Sequence, residues 1–222
     1  MTIARYKDLC IDANDPVRLG RFYADVLSLD LQVDDDGDAH LIGAAPQETV
    51  WINEVPEPKS VKHRVHVDVN TRAVADVEAA GATVLDDSFR WTVMADPEGG
   101  ELCAFVRDAD GPSLYEIVVD CADAKAQATW WGEVLGGSIV HDDNAGFSWV
   151  EAVPDASFEC LVFVLVPEPK SAKNRVHLDL WCDAVDDLLH AGATLLRAQD
   201  DEIDWTVLAD PEGNEFCAFV AR

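Results

Sequence analysis

Residues 91–106 and 205–220 are two copies of one segment: Trp91-Thr92-Val93-Met94-Ala95-Asp96-Pro97-Glu98-Gly99 returns as Trp205-Thr206-Val207-Leu208-Ala209-Asp210-Pro211-Glu212-Gly213, and thirteen of the sixteen positions are identical. A second block, 55–69, recurs at 166–180 with eleven of fifteen identities and carries His66 and His177 to equivalent places. A tandem duplication must fold into two related units, so every candidate residue has a twin against which it can be tested. The offset between copies is 108 at Phe22 and Trp130, 111 at His66 and His177, and 114 at Trp91 and Trp205. Two three-residue insertions therefore entered the second copy, and insertions settle in exposed connections. The polar, turn-forming run 108–113 separates a unit at 1–108 from one at 112–222.

Composition narrows the partners. The 222 residues carry 43 acidic and 16 basic side chains, a formal net charge of −27, which repels phosphate backbones and anionic lipid headgroups. Neither nucleic acid nor membrane is an expected partner. No apolar run approaches the ~20 residues of a membrane span and the N-terminus has no signal-like apolar stretch, so a cytoplasmic protein is expected. The six cysteines form no C-x-x-C pair and are read as reduced thiols.

Local patterning gives the elements of one module. Leu9 and Ile11 alternate with Asp8, Cys10 and Asp12, as in a strand with one apolar and one polar face. Asp15 is a suitable helix N-cap and Pro16 a suitable first helical residue, while Leu19, Phe22, Tyr23, Val26 and Leu27 recur at helical spacing. Three short strands follow, around 31–33, 39–43 and 49–55. The order then restarts: Val65, Val67 and Val69 alternate with His66 and Asp68, a helix over about 71–80 closes at Gly81, and strands near Thr83 and Trp91 lead into a type I turn at Asp96-Pro97-Glu98-Gly99. The whole chain thus reads as four βαβββ modules, an α+β fold in which few helices cover one face of curled, largely antiparallel sheets and leave the other face free to line a cup.

The aspartate-capped helix carrying Phe22-Tyr23-Ala24-Asp25-Val26-Leu27, followed by the Asp-Pro-Glu-Gly hairpin, resembles the vicinal oxygen chelate superfamily of glyoxalases, bleomycin-resistance proteins, fosfomycin-resistance enzymes and extradiol dioxygenases. The resemblance covers each half once and implies two glyoxalase-like domains. It also implies a divalent metal, zinc, iron, manganese or nickel, held by first and last strands of paired modules. Carried over position by position, those ligand places fall at His66 and His177, at Asp8 and Glu116, near Trp51 or Asn53 and Val162 or Val164, and at Cys103 and Cys217, where a glutamate is the usual residue. Glu101 and Glu215 lie two residues earlier on the same face.

These observations define the expectations. The candidate metal set is His66, Asp8 and Cys103; the candidate catalytic residues are His66 and Glu101. The candidate ligand-binding set adds Asp68, Trp51, Asn53, Phe105, His177, Asp179, Glu215 and Cys217. Phe219, Phe147 and Trp149 are further candidates for an aromatic lining. A four-residue turn would pair Trp91 with Ala104 and place Trp91 and Trp205 under the helices. Asp34-Asp35-Asp36-Gly37-Asp38 reads as a solvated hairpin rather than a calcium loop. Lys59, Lys62 and Arg64, with Lys170, Lys173 and Arg175, form local salt bridges or guide an anion. The leading functional expectation is a small-molecule-binding protein of the kind that sequesters a natural product, with a metal-dependent lyase, isomerase or dioxygenase as the alternative. A monomer that imitates a dimer, or a homodimer, is the expected assembly.

Overall fold

The computed structural model describes residues 2–34, 37–108, 111–142, 144 and 146–221. Asp35 and Asp36 of the acidic hairpin, and 109–110 of the connection between copies, lie outside the described residues. Module 1 comprises β1 (Ala4–Ala13), α1 (Pro16–Leu27), β2 (Asp30–Val33), β3 (Ala39–Ile42) and β4 (Val50–Glu54). Module 2 comprises β5 (Val65–Thr71), α2 (Val74–Ala80), β6 (Thr83–Asp86), β7 (Thr92–Ala95) and β8 (Glu101–Val106). Module 3 repeats the first as β9 (Ser113–Cys121), α3 (Ala124–Leu135), β10 (Ser138–Asp142), β11 (Phe147–Glu151) and β12 (Cys160–Leu165). Module 4 repeats the second as β13 (Val176–Cys182), α4 (Val185–His190), β14 (Thr194–Arg197), β15 (Thr206–Ala209) and β16 (Glu215–Val220). The later insertion falls in the β14–β15 connection, as its effect on the repeat offset requires. Among the described residues no helix is long and apolar enough to cross a membrane.

The modules pair across the two copies. One eight-stranded sheet runs β14-β15-β16-β13-β1-β4-β3-β2 and the other β10-β11-β12-β9-β5-β8-β7-β6. The first sheet therefore joins module 1 to module 4, and the second joins module 3 to module 2. Units 1–108 and 112–222 are repeats of sequence, and each sheet takes one module from each. The joins are the antiparallel pairs β1 with β13 and β5 with β9.

The two twelve-residue helices, α1 and α3, form where the sequence caps them. The Asp15 carboxylate accepts from the Arg18 amide at 3.0 Å and the Asp123 carboxylate accepts from that of Ala126 at 3.0 Å. Leu19, Phe22, Tyr23, Val26 and Leu27 of α1 are all buried, and with Leu9 and Ile11 of β1 they belong to one apolar core. That face drives folding through apolar burial, worth roughly 1.5–3 kcal/mol per large side chain.

The duplicated Asp-Pro-Glu-Gly turn binds modules of the same copy together. Asp96 Oδ1 accepts from the Glu98 and Gly100 amides, and its Oδ2 accepts from the Tyr23 hydroxyl at 3.2 Å. Glu98 reaches the start of α1 and accepts from the Asn14 and Asp15 amides and from Arg175. In the second copy Asp210 takes the Trp131 indole N–H at 3.2 Å and Glu212 takes the Ala122 and Asp123 amides. The aromatic pair and the turn, two motifs far apart in sequence, are the two halves of one lock.

The turn is wider than a four-residue hairpin. Gly99 N–H donates to Asp96 C=O at 2.9 Å, the expected type I closure, but Gly99 then takes φ 83° and the strands resume only at Glu101. Thr92 consequently faces Ala104 and Val93 faces Cys103. This corrects the expected register by one residue, which turns Trp91 and Trp205 from the helix side to the cup side.

The copies differ at one coupled pair beside this turn. In the second, Asn214 donates through Nδ2 to Asp210 at 2.9 Å and accepts at Oδ1 from Asn174 Nδ2 at 3.0 Å. The first has Gly100 and His63 there, and a Cβ at 100 would lie 2.7 Å from His63 Cε1 and collide with Asp96 Oδ2. Gly100→Asn is expected to cost about 2–3 kcal/mol by overpacking, and adding His63→Asn to recover most of it, a double-mutant cycle read by urea unfolding. Burial also holds the His63 imidazole down to about 4. An unfolded histidine protonates near ~6.5, so this ring removes stability from the wild type as pH falls from there toward 4. His63→Asn alone should therefore gain on the wild type steadily across that window.

Candidate functional site

The cup-side residues of the central strands are polar yet buried, an arrangement that requires each charge to be paired or neutralised. On the first sheet, Cys10 lies opposite His177 and Asp8 opposite Asp179 across β1 and β13. Trp51 stands beside Cys10 and Asn53 beside Asp12 on β4, while Cys217 stands beside Asp179 and Phe219 beside Trp181 on β16. The register of β1 shifts between Tyr6 and Asp8, where a bulge inserts Lys7. A bulged residue escapes strand alternation, so Tyr6 stays in the core while Lys7 and Asp8 both serve the cup.

Asp8 Oδ2 accepts from the Lys7 ammonium at 2.5 Å and from the Trp51 indole N–H at 3.1 Å. Asp12 is paired with Lys173 at 2.6 Å. Burial, then the neighbouring Asp8, pushes the Asp179 carboxyl well above the usual carboxylate range, which keeps it protonated. Burial lowers His177 and raises the Cys217 and Cys10 thiols, so the ring is neutral and the sulfurs carry their protons. A cavity of about 650 Å³ opens on this floor, walled by Trp51, Trp205, Phe219 and Val207, with Lys7, Cys10, His177 and Asp179 below.

The second cup is built from the same positions and closed differently. His66 Nε2 lies 3.7 Å from Cys103 Sγ and 3.4 Å from Asp68 Oδ1. Burial brings His66 down to about 4, and burial with Glu116 raises Asp68 well above its ordinary value. The bulge here carries Tyr115, whose ring meets Phe105 edge-on at 5.1 Å. Trp91 stacks on Phe105 at 5.6 Å, Phe89 on Trp91 at 5.3 Å, and the Arg107 guanidinium lies 4.2 Å over Tyr115. The twins of Trp51 and Asn53 are Val162 and Val164, beside Val118 and Asp120.

Crossed pairing decides which candidates meet. His66, Asp68, Glu101, Cys103 and Phe105 belong to the second sheet, whereas Asp8, Trp51, Asn53, His177, Asp179, Glu215 and Cys217 belong to the first. Asp8 accordingly does not join His66 and Cys103, because β1 pairs with β13 and not with β5. Glu101 is occupied by the chain that links modules 1 and 2, accepting from Lys59 Nζ at 2.9 Å and from the His63 amide at 2.9 Å. These bonds outweigh burial and leave its carboxyl below its ordinary value. Glu215 does the same for Lys170 and the Asn174 amide, although it borders the cavity. The remaining basic side chains of those linkers bond across the copies and not locally: Lys62 to Asp120, Arg64 to the Glu168 carbonyl and Arg175 to Glu98. Lys7 and Trp205 are cavity residues that strand alternation hid, the first by a bulge and the second by the turn register.

Among the described residues three groups bring potential metal-ligand atoms within 4.8 Å of one another: Cys10, Asp12 and His177; His177, Asp179 and Cys217; and His66, Asp68 and Cys103. In the first cup His177, Asp179 and Cys217 offer the same donor types as His66, Asp68 and Cys103, but a resident ammonium opposes a second cation there. The Lys7 ammonium and the Trp51 N–H occupy the Asp8 carboxylate, Trp51 itself offers no ligand, and Lys7 Nζ stands 4.0 Å from Asp179. The imidazole, carboxyl and thiol of the second cup form a mixed N, O and S set of the kind zinc accepts.

A family profile described as a glyoxalase-like domain matches the chain twice, over residues 8–105 and 116–219. Among solved structures, glyoxalase I from Zea mays superposes with a TM-score of 0.69 at 13% identity, covering 97% of this chain and 92% of that one. A putative dioxygenase from Bacillus subtilis gives 0.62 at 14%, covering 99% and 86%, and the cppA protein of Streptococcus pneumoniae gives 0.54 at 9%, covering all of both chains. At these identities the likeness is one of fold. No curated protein matches the chain.

Proposed function

Since the chain belongs to the glyoxalase-like domain family, we propose that its first-sheet cup encloses a small organic molecule without the aid of a metal, in the manner of a sequestering protein. The observation that carries this reading is the cavity of about 650 Å³ in which Trp51, Trp205 and Phe219 stand over Lys7, Cys10, His177 and Asp179. The aromatic side chains supply contact area and the polar groups fix orientation, the usual division of labour in a ligand pocket. A panel of planar and glycopeptide compounds, screened by isothermal titration calorimetry, tests it. Trp205→Ala should weaken any binder found by about tenfold or more, the loss of one aromatic wall. Absence of any binding tighter than millimolar across the panel would remove the reading.

One observation favours a second reading, the convergence of His66, Asp68 and Cys103 in the other cup. There these three side chains would hold a divalent ion, zinc by the softness of the thiol, and such an ion supplies Lewis-acid polarisation of substrate oxygens, as a lyase, isomerase or dioxygenase would use. The neutral His66 ring is ready to coordinate, whereas Cys103 would first have to lose its proton. Elemental analysis of protein purified without chelator separates the readings: near-stoichiometric metal that is lost in Cys103→Ser supports the second.

A further inference from the structure

We propose that Lys7 is the specificity-determining cation of the first-sheet cup and that the cup's ligand is a planar molecule bearing an oxygen anion, such as a carboxylate or a phenolate. The inference rests on the reading of that cup as a small-molecule site and assigns its ligand class. Three independent features lead to it. The β1 bulge brings an ammonium group onto a floor that alternation alone would have kept free of it, and the equivalent bulge of the other cup carries the uncharged Tyr115. Among the described residues Lys7 makes one hydrogen bond, to Asp8, although an ammonium has three donors. Its Nζ lies 4.4 Å over the Phe219 ring and only 15% of the side chain is exposed, so the unused donors stand at an aromatic-walled cavity rather than in bulk water.

Asp8 balances the charge, but donors held away from water without an acceptor remain costly. The other cations bordering the cavity are open to water, with 61% of the Lys173 side chain and 43% of that of Arg197 exposed, so their spare donors are solvated. A planar ligand seated between Trp51 and Trp205 with its oxyanion toward Lys7 would meet the free donors and place its rings against the indoles. The net charge of −27 pulls the other way and favours a cationic guest. That field is screened beyond about 8 Å at physiological ionic strength, whereas the Lys7 contact is local and shielded from solvent, so the local charge decides.

The test compares three probes of one shape by titration calorimetry on the full chain: 2-naphthoate, neutral 2-naphthamide and cationic 2-naphthylmethylamine. The wild type should bind the naphthoate at least about tenfold more tightly than the amide, the worth of one charge-assisted hydrogen bond. Lys7→Met should reduce that preference to about twofold or less, and Lys7→Arg should retain it. A wild-type preference for the amide or the amine overturns the assignment while leaving the cup a small-molecule site, and does so without any variant having to fold. A preference for naphthoate that survives in Lys7→Met, with unchanged near-ultraviolet circular dichroism, overturns the role of Lys7. Failure of all three probes to bind overturns the assignment, and failure of the wider compound panel as well removes the small-molecule reading itself.

Discussion

Asp96→Ala should lower the unfolding free energy by about 3–5 kcal/mol, a large part of the margin of an ordinary domain. The carboxyl group receives the Glu98 and Gly100 amides and the Tyr23 hydroxyl, all in the interior, and alanine would leave three donors with no acceptor. Substitution by asparagine separates the contributions. Its side-chain oxygen can still serve the two amides while the Tyr23 hydroxyl reverses to accept from the new NH₂ group, so Asp96→Asn should cost less than about 1.5 kcal/mol. Asp210→Ala should be at least as damaging, since Asp210 accepts from two backbone amides, Asn214 Nδ2 and the Trp131 indole. Urea unfolding followed by tryptophan fluorescence measures all three. An Asp96→Ala protein within 1 kcal/mol of wild type, on the order of an ordinary surface change, would show that the turn is incidental to the fold.

The second large effect concerns the chain cut between its copies. Because β1 pairs with β13 and β5 with β9, residues 1–108 alone would expose the facing edges of two half-sheets, and unpaired edges seek partners. Module 4 repeats module 2, so a second copy of 1–108 offers at β5 what β13 offers in the intact chain. The isolated first half should therefore form a closed two-fold dimer, or aggregate where the match fails, and should not persist as a folded monomer. Protein nicked only in the 107–113 connection should keep both halves in one particle under native conditions. Size-exclusion chromatography with light scattering distinguishes the outcomes, and a monodisperse folded monomer of 1–108 would contradict the crossed pairing.

The sequence was most informative where physical signals are local. The Asp15 cap, the helical spacing of Leu19, Phe22, Tyr23, Val26 and Leu27, and the alternation of Asp8, Cys10 and Asp12 each specify an element within a few residues, and all appear as expected. What depended on distant partners was hidden. Nothing within β1 distinguishes β13 from β5 as its neighbour, since those strands are repeats of each other, and spacing alone therefore groups Asp8 with His66 and Cys103. Single-residue shifts were hidden too. The bulge at Lys7 and the extra turn residue at Gly100 each reverse which face a side chain takes, leaving Lys7 unnoticed and Trp91 and Trp205 assigned to the wrong side. Glu101 stood on a plausible face, but the Lys59 and His63 groups that occupy it arrive from the linker, in a geometry that spacing does not reveal.

Crossed sheets also set the terms on which the two copies can drift apart. Each vessel has one wall inherited from either copy, so neither copy can specialise by itself: a change at Lys7 or Trp51 is felt by His177 and Cys217, in the other repeat, before it is felt by His66. Selection on one guest would tie positions 7, 8 and 51 to 177, 179 and 217, and leave 66, 68 and 103 free to follow 115 and 116. In an aligned set of descendants, correlated substitutions should run between repeats rather than within them, and exchange of a whole repeat by recombination should damage both vessels at once.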